Sequence, residues 1–355
     1  MNLLIVFSSV AEHSGLHDNI FDTALEGKRR GYNVYVAYRS GEFYDKLKRN
    51  GINVINTDCK LRGKSCKQIK EATNSDIDII HTHPGDGRKV ALMLSRELNV
   101  PLVMTIHGKW TNSISNYIED VEAVFTVSEG IRQKVIEECE GDYEKVFVIP
   151  NSHTYPLTKN IVREKLRIVS IITRLDKDKQ LVLNVIKKFI DSVKSSEEEL
   201  LINIIGDGTE KEKMQDYINK TLNNKNVTVN FRGWINNKEV LKDFYQKSDL
   251  IIGPGRVIID AYSLNKPAIV VGSKRYEGLI TKENWTTLIA SNFGGYKHHD
   301  NDIEDEYRMT NDFKKIKSYL HRKKTSDIGY KVVEEFFNKE KINNKIFSIY
   351  EVIKK

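Results

Sequence analysis

Two cations five residues apart follow an apolar run in the second half of the chain. Arg174 comes shortly after the run at residues 167–172, and Lys179 opens the amphipathic stretch that follows. An arginine at the end of a strand and a lysine at the start of the next helix can reach one point beside the strand's carboxyl end. A guanidinium and a compact ammonium together suit a diphosphate. The pair therefore predicts a phosphate site; solvated charges at a helix start are the alternative.

Two glycine turns in the same half point to the same chemistry. Gly206, Asp207 and Gly208 follow the apolar run at residues 200–205, where a glycine turn lets the backbone approach a ligand. Any turn from a strand to a helix can use such a motif, so this signal is weak when it stands alone.

The second turn, Gly-Pro-Gly at residues 253–255, leads directly into a helical stretch that carries Arg256 and Asp260. The first N–H groups of a helix and its positive dipole end attract an anion. Arg256 adds charge, and Asp260, about one turn further on, is placed to accept hydrogen bonds from ribose hydroxyls. The alternative is a packed turn with an i,i+4 pair between Arg256 and Asp260.

The elements that position these residues are short apolar runs alternating with longer amphipathic stretches. Runs rich in Val and Ile are typical of strands buried on both faces of a parallel sheet, and their alternation with helical stretches predicts doubly wound α/β domains. In the first half the runs are residues 3–7, 34–38, 52–55, 77–80, 101–106, 123–127 and 146–149. In the second half they are residues 167–172, 200–205, 227–231, 250–252, 268–271 and 288–290.

The chain has 355 residues, more than the roughly 250–300 that one core usually holds, so two domains are expected. Two prolines within residues 150–156 mark a linker. We predict a first domain over residues 1–160, a second over residues 161–335, and a C-terminal helical segment over residues 336–355 that packs back on the first. Ligands of open α/β sheets bind outside the carboxyl ends of the strands, so a cleft between two facing domains is the expected site.

Composition limits the classes of protein. Hydrophobic residues make up 39% of the chain and charged residues 30%, which supports globular cores and excludes a disordered chain. The three cysteines form no C-x-x-C pair, so a reduced, cytoplasmic setting without a disulfide scaffold is expected. The sequence starts without a basic leader and lacks a long apolar run, so neither a signal peptide nor a membrane span is predicted.

Charge is distributed unevenly along the chain. Residues 1–154 carry 19 Lys/Arg against 21 Asp/Glu, a net −2, and the remainder carries 37 against 28, a net +9. Most of these lysines fit a solvated surface, because a polyphosphate ligand needs only a few of them. A nucleic-acid binder is an alternative for a basic protein, but no recognised motif supports it, and no nucleic-acid partner is predicted.

Five cations lie close together in the otherwise slightly acidic first half. Lys60, Arg62, Lys64, Lys67 and Lys70 fall within eleven residues, and large apolar side chains are scarce among them. This segment is predicted to dock on an anionic membrane surface or an acidic glycan, without deep insertion and with binding that fades at high salt. A solvated segment is the alternative.

The order of these motifs resembles glycosyltransferase family 4, the retaining enzymes of the GT-B fold, over nearly the whole chain. In the second half the order is Arg-x4-Lys, Gly-Asp-Gly, Phe-Arg-Gly at residues 231–233, and a glycine turn opening a helix that carries an acid. The matching segments of the first half are Ser14-Gly15, a strand ending in His-Thr-His at residues 78–83, a strand ending in His-Gly at residues 101–108, and residues 125–129 and 148–151. The resemblance implies two Rossmann-like domains that face each other across a cleft.

The resemblance also implies roles for individual residues. Arg174 and Lys179 match the residues that hold the donor diphosphate, and His107 matches the histidine that faces the donor sugar. Asp260 matches the acid that binds the ribose, where the family normally has Glu. The other donor-binding positions are Ser14, Gly15, Gly206, Asp207, Gly208, Gly255, Arg256 and Val257. Neither a metal nor a cofactor is expected, because cationic side chains take the place of a metal ion.

Two positions depart from the family pattern. The family usually carries two glutamates separated by seven residues; Asp260 matches the second, and Ile252 stands at the position of the first. Residues 151–153 are Asn-Ser-His where the family more often has Asn-Gly. The missing acid is the one that contacts the donor sugar, so the sugar contacts are altered while the phosphate set is intact.

The implied function is transfer of a sugar, with retention, from a nucleoside-diphosphate sugar to a hydroxyl of a glycan or lipid-linked acceptor. A metal-independent hexosyltransferase of cell-envelope polysaccharide synthesis, cytoplasmic and at the inner face of the cell membrane, is expected. Two alternatives keep the fold. A GT-B sugar-nucleotide epimerase would need extra acids in the cleft, and a non-catalytic GT-B subunit would bind acceptor or a partner protein.

Overall fold

The computed structural model describes residues 1–9, 15–108, 110–111, 113–141, 144–272, 274–294 and 305–354. The chain divides into two compact units. The first contains Met1–Asn151 together with Lys339–Lys355, and the second contains Ser152–Asn338. Each unit has its own sheet and its own hydrophobic cores.

The first unit alternates strands and helices. Its strands are β1 (Asn2–Val6), β2 (Asn33–Tyr38), β3 (Asn53–Asn56), β4 (Ile79–Thr82), β5 (Leu102–Ile106), β6 (Ala123–Thr126) and β7 (Val146–Val148). The helices between them are α1 (Gly15–Arg29), α2 (Glu42–Arg49), α3 (Arg62–Thr73), α4 (Asp86–Leu98) and α5 (Glu129–Glu138). Within the described residues the strands pair in the parallel order β3-β2-β1-β4-β5-β6-β7. Central strands β4, β5 and β6 are buried throughout, because helices cover both faces of a doubly wound sheet.

The second unit repeats this plan. Its strands are β8 (Ile168–Ile172), β9 (Leu200–Ile205), β10 (Val227–Gly233), β11 (Leu250–Gly253), β12 (Ala268–Val271) and β13 (Tyr276–Leu279). Its helices are α6 (Gln180–Val193), α7 (Lys211–Thr221), α8 (Lys238–Lys247), α9 (Arg256–Ser263), α10 (Trp285–Ala290), α11 (Glu306–Lys315) and α12 (Tyr319–Phe336). In the described part of the chain the strand order is β10-β9-β8-β11-β12-β13, with β13 antiparallel to β12 and the other pairs parallel.

The last helix, α13 (Lys339–Ile353), belongs to the first unit. Its buried side chains Ile346, Phe347 and Tyr350 join the core that also contains Ile20 and Ala24 of α1. An amphipathic helix is stabilised mainly by burying its apolar face in this way.

The predicted fold class, two doubly wound α/β sheets, is confirmed, but one strand prediction is wrong. Residues 288–290 end helix α10, where Leu288 is buried while Ile289 and Ala290 are only partly so. A run of three apolar residues cannot be distinguished from one face of a helix by its pattern. Strand β13 was not predicted, because its sequence, Tyr-Glu-Gly-Leu, is interrupted by Glu277 and Gly278.

Both sheets have a topological switch point, where neighbouring strands lead to helices on opposite faces. The switch lies between β1 and β4 in the first unit and between β8 and β11 in the second. Loops that leave these strands start side by side at the carboxyl edge, which is where open α/β sheets bind ligands. The loop after β4 carries His83, and the loops after β8 and β11 carry Arg174 and Gly255.

Candidate functional site

The two cations of the predicted phosphate site meet at one carboxylate. Arg174 donates from Nη1 to Asp176 and from Nη2 to Asp178 Oδ2, both at 2.9 Å. The Nζ of Lys179 lies 3.6 Å from the same oxygen of Asp178. The turn between β8 and α6 therefore brings both cations to a single anionic oxygen. The Arg174 side chain is 48% exposed, so these ion pairs are accessible to solvent.

Asp176 joins this turn to the Gly-Asp-Gly turn that follows β9. One of its oxygens binds Arg174, and the other accepts the backbone N–H of Thr209 at 3.0 Å. The backbone N–H of Leu175 also donates to the carbonyl of Asp207 at 2.9 Å. The two turns are thus held together by side-chain and backbone bonds, and a displacement of one turn strains the other.

The glycines at positions 206 and 208 are required by close packing of this junction. A Cβ at Gly206, which has a φ of +134°, would lie 1.8 Å from the carbonyl oxygen of Thr173. At Gly208 a Cβ would lie 2.4 Å from the carbonyl oxygen of Leu175. These glycines were predicted to let a ligand approach the backbone, whereas in the structure the neighbouring turn packs against them. Asp207, between them, pairs with Lys211 at 3.0 Å, and this hydrogen bond lowers the pKa of Asp207.

Helix α9 begins directly after the Gly-Pro-Gly turn. Gly255 caps the helix with a φ of +52°, a conformation that favours glycine. Its N–H donates to the carbonyl of Phe293 at 2.7 Å, and the N–H of Val257 is used in a turn with Pro254 at 3.2 Å. The N–H groups of Gly255 and Val257 are therefore bonded within the protein, and the role of the start of α9 in binding a phosphate stays a prediction. The positive end of the helix dipole and the charge of Arg256 remain at this position.

Asp260 is held by the linker that enters the second unit. Its Oδ1 accepts the backbone N–H of Thr154 at 2.6 Å, and its Oδ2 accepts the hydroxyl of Thr154 at 2.9 Å. The Nε of Arg256 donates to the same hydroxyl oxygen at 3.1 Å. Thr154 thus lies between the two α9 side chains. Asp260 is only 6% exposed, so its carboxylate lies inside a packed turn and not on an exposed helix face.

We expect Asp260→Ala to lower the free energy of unfolding by about 1–3 kcal/mol, because it leaves two partly buried donors of Thr154 without their charged acceptor. If Asp260 also binds the ribose, the affinity for a nucleoside diphosphate falls as well. Calorimetric titration and urea unfolding measure the two effects separately. Thr154→Val is the matched control, since it removes the hydroxyl bond and keeps the carboxylate. Equal affinity in both variants and the wild type would leave Asp260 with a structural role only.

Ile252 stands where the first glutamate of the family pattern would be. It lies inside β11, is 1% exposed and belongs to the core of the second unit. Val257 is partly buried against a neighbouring core, and its Cγ1 leaves no room for a side chain at Gly253. The position where the family carries an acid is therefore a buried apolar residue of β11, and the turn that follows is tightly packed.

In the first unit the predicted positions follow two different strands, with Gly15 after β1 and His107 after β5. Ser14 lies outside the described residues. Gly15 is the first residue of α1, and apart from its chain neighbours and its own helix backbone no atom of the described residues lies within 4 Å of the place a Cβ would take. His107 follows β5, is partly buried, and is hydrogen-bonded through Nε2 to Nδ1 of His83 at 2.8 Å.

These rings belong to a group of three stacked or tilted histidines. The ring centroids of His81 and His83 are 4.7 Å apart, and those of His83 and His107 are 5.1 Å apart. Desolvation lowers the pKa of His107 to about 4. Desolvation also lowers the pKa of His81 to about 3, with a smaller electrostatic contribution from His107. The pKa of His83 is lowered well below its usual value by burial and by the other histidines. At neutral pH the three rings are uncharged.

Sequence reasoning missed four side chains that orient the predicted ones. Asp176 and Asp178 lie between the two selected cations, and their acidic character beside a phosphate site was the available signal. Thr154 lies in the linker, 106 positions from Asp260 along the chain, so no local pattern connects the two. His83 was part of the family motif, but its contact with His107 depends on the pairing of β4 with β5.

No three His, Cys, Asp or Glu side chains in the part of the chain that the structure describes are arranged to hold a metal ion. Within the described residues Cys59, Cys66 and Cys139 form no disulfide, and burial raises the pKa of Cys59 to about 12. Among the described helices, none combines the length and the apolar character that crossing a bilayer requires.

Two family models match the sequence, one in each half. The Glycosyltransferase Family 4 model matches residues 15–152, and the Glycosyl transferases group 1 model matches residues 158–304. A comparison of the sequence with curated proteins gave no match.

Solved structures share the fold over nearly the full length. HepE from Anabaena, in complex with UDP and glucose, has a TM-score of 0.72 at 17% identity, with 99% of this chain and 100% of that chain covered. A glycosyltransferase from Rickettsia africae has a TM-score of 0.70 at 16% identity, with 99% and 98% covered. Sucrose-phosphate synthase from Thermosynechococcus elongatus has a TM-score of 0.69 at 16% identity, again with 99% and 98% covered. At these identities the likeness establishes the fold.

Proposed function

Because this chain belongs to the family 4-like glycosyltransferases of the GT-B fold, we propose that it moves a sugar from a nucleoside-diphosphate sugar to a hydroxyl of a glycan or lipid-linked acceptor, with retention at the anomeric carbon. A hexose donor, independence of metal ions and a role in cell-envelope polysaccharide are parts of the same proposal. HepE has been solved with UDP and with UDP-glucose, so these are the first ligands to test.

One observation carries the proposal: Arg174 and Lys179 converge on a single oxygen of Asp178. Two cations that share one carboxylate oxygen are also placed to share an oxygen of a diphosphate, which carries more charge and more acceptors. Solvent-exposed ion pairs contribute only about 0–1 kcal/mol, so an incoming diphosphate can replace Asp178 at small cost. We propose that Asp178 occupies the position of a phosphate oxygen until the donor binds.

The same cations favour the reaction itself. As the bond between the anomeric carbon and the diphosphate breaks, negative charge accumulates on the leaving oxygen. Arg174, Lys179 and the positive end of α9 stabilise this charge where it develops, which lowers the barrier rather than only the dissociation constant. A departing phosphate oxygen can take the proton of the acceptor hydroxyl, so the proposal requires no separate protein base.

The contacts to the sugar are the part of the family site that differs most in this chain. We propose that His107 contacts the donor sugar, as the resemblance implies. The usual acid has no counterpart, since Ile252 is a buried residue of β11. This difference favours one alternative function, a non-catalytic GT-B subunit that binds the nucleotide or an acceptor without transferring a sugar.

A thermal-shift screen tests the proposed donor site. UDP, GDP and ADP, with their sugars, should be compared at the same concentrations. A nucleotide that binds only the folded state stabilises it by about 2.7 kcal/mol at a hundredfold excess over Kd. We expect one nucleoside diphosphate to raise the melting temperature well above the others. No shift with any of them would contradict the proposal.

An activity assay then separates an enzyme from a binder. The preferred sugar nucleotide is incubated with the protein, and release of the nucleoside diphosphate is followed with and without acceptor extracts. Slow hydrolysis in water that accelerates with an acceptor supports transfer. Tight binding with no release under any condition supports the non-catalytic alternative.

We propose that the protein acts in the cytoplasm at the inner face of the membrane, through the basic segment at the start of α3. Three of its five cations, Lys60, Arg62 and Lys64, are exposed and have no ion pair within the described residues. The other two are partly neutralised, Lys70 by Glu97 at 2.8 Å and Lys67 by Glu71 at 3.9 Å. Leu61, among the unpaired cations, is 66% exposed and could enter the headgroup region.

Neutralising Lys60, Arg62 and Lys64 together to Gln should weaken binding to anionic vesicles about 100-fold, at about 1 kcal/mol per cation. Co-sedimentation with vesicles of phosphatidylcholine, with and without phosphatidylserine, measures this at low and high salt. Removal of three exposed cations of α12, Lys323, Lys324 and Lys331, is the matched control for net charge. An equal loss of vesicle binding in both variants, or no vesicle binding by the wild type at low salt, would show that this segment is not a membrane-binding site.

A further inference from the structure

Three histidines lie together at the carboxyl edge of the first sheet, at the ends of β4 and β5. His81 is the third residue of β4, His83 follows β4, and His107 follows β5. The parallel pairing of β4 with β5 places His83 and His107 side by side, with an interplanar angle of 22° between the rings. His83 is completely buried, whereas His107 is partly exposed.

The hydrogen bond between these two rings requires one donor and one acceptor. It joins Nδ1 of His83 to Nε2 of His107 at 2.8 Å. Burial lowers the pKa of both rings, so both are neutral at pH 7 and each carries one N–H. Either His83 donates from Nδ1, or His107 donates from Nε2.

The second nitrogen of His83 decides between these arrangements. Nε2 of His83 is buried and has no hydrogen-bond partner in the described part of the chain. If His107 donated, His83 would carry its proton on Nε2 and leave a buried N–H unpaired. Orphaned buried N–H groups are rarer than unpaired acceptors. The donor is therefore Nδ1–H of His83, and Nε2 of His83 is a bare lone pair.

The third histidine provides no partner for that nitrogen. Nδ1 of His81 is bonded to the hydroxyl of Tyr350 at 2.6 Å, and Nε2 is bonded to the hydroxyl of Thr105 at 2.7 Å. Both nitrogens of His81 are thus occupied by hydroxyl groups. The ring of Phe7, which lies edge-on to His83, is apolar. The arrangement around His83 isolates its Nε2.

We propose that His83 is a positioning residue that holds His107 in the tautomer with its proton on Nδ1. His107 then accepts from His83 through Nε2 and presents an N–H donor, for which the described residues contain no hydrogen-bond acceptor. It serves as a donor to an oxygen of the bound ligand and not as a base, because its lone pair is engaged. That the ligand is the donor sugar rests on the proposed function, whereas the tautomer does not depend on it.

Nitrogen NMR of the intact protein tests the tautomer directly. The chain contains nine histidines, so the protein is labelled with 15N-histidine and the His107 signals are identified by their loss in His107→Gln. At pH 7.5 without ligand, we expect Nδ1 of His107 to have the chemical shift of a protonated nitrogen and Nε2 that of an unprotonated one. The opposite pattern in the wild type would overturn the proposal.

Variants of His83 then test the positioning role. His83→Asn keeps an N–H near the place of Nδ1 and should preserve the His107 tautomer. His83→Leu removes the donor, so the His107 spectrum should shift to a mixture of the two tautomers. An unchanged His107 spectrum in a folded His83→Leu protein would contradict the role of His83. Because these spectra are recorded without substrate, they remain informative if glycosyl transfer is not found.

Discussion

Arg174→Ala should lower kcat/KM for the sugar nucleotide by about 10- to 150-fold, because a charge-assisted hydrogen bond contributes roughly 1.5–3 kcal/mol. Lys179→Ala should have an effect of similar size. Both side chains reach the same oxygen of Asp178 and are expected to bind the diphosphate there. The loss should fall on kcat as well as on KM, since the leaving group gains charge in the transition state.

Two further variants make this prediction specific. Asp178→Asn removes the carboxylate that competes for both cations, and nucleoside diphosphate binding should become tighter, not weaker. Lys177→Ala is the matched control, because Lys177 lies exposed in the same turn. Steady-state kinetics and calorimetric titration measure these effects. If both Arg174→Ala and Lys179→Ala kept wild-type kinetics, Arg174 and Lys179 would not bind the donor diphosphate.

Acidification is expected to destabilise the first unit between pH 6.5 and pH 4. The folded state keeps His81 and His107 neutral, with pKa values lowered to about 3 and about 4, whereas the unfolded chain protonates them near pH 6.5. Between these values the unfolded state binds more protons than the folded state, so the free energy of unfolding falls as the pH falls. At pH 5, which is 1.5 units below the pKa of the unfolded chain, each such histidine lowers the free energy of unfolding by about 2 kcal/mol, because one unit corresponds to about 1.36 kcal/mol.

Hydrogen exchange detected by mass spectrometry can localise this effect. Peptides that contain β4 and β5 should lose protection as the pH is lowered from 7 to 5, after correction for the intrinsic exchange rate. His81→Gln should flatten this dependence, and His321→Gln, at an exposed position of α12, should leave it unchanged. If the wild type keeps the same stability at pH 7 and pH 5, the histidines are not held neutral by the fold.

The sequence determined the two-sheet architecture because buried parallel strands carry a local signal. Continuous Val- and Ile-rich runs become the strands of both sheets, and the amphipathic stretches between them become helices. Strand β13 gave no such signal, because Glu277 and Gly278 interrupt its apolar residues. The short apolar run at the end of helix α10 gave a misleading signal, because it has the same pattern as a short strand. Strands that are buried on one face, or interrupted by Glu and Gly, depend on neighbours that a local pattern does not contain.

The cations at positions 174 and 179 could also be selected from the sequence, because their spacing places both in the turn between β8 and α6. Their partners could not. The carboxylate of Asp178 between them, the contact of Asp260 with Thr154 and the bond from His83 to His107 arise from turn geometry, linker path and strand pairing. The last two of these contacts join groups from separate elements. Only the packed structure decides which polar atoms find partners and which, like Nε2 of His83, have none among the described residues.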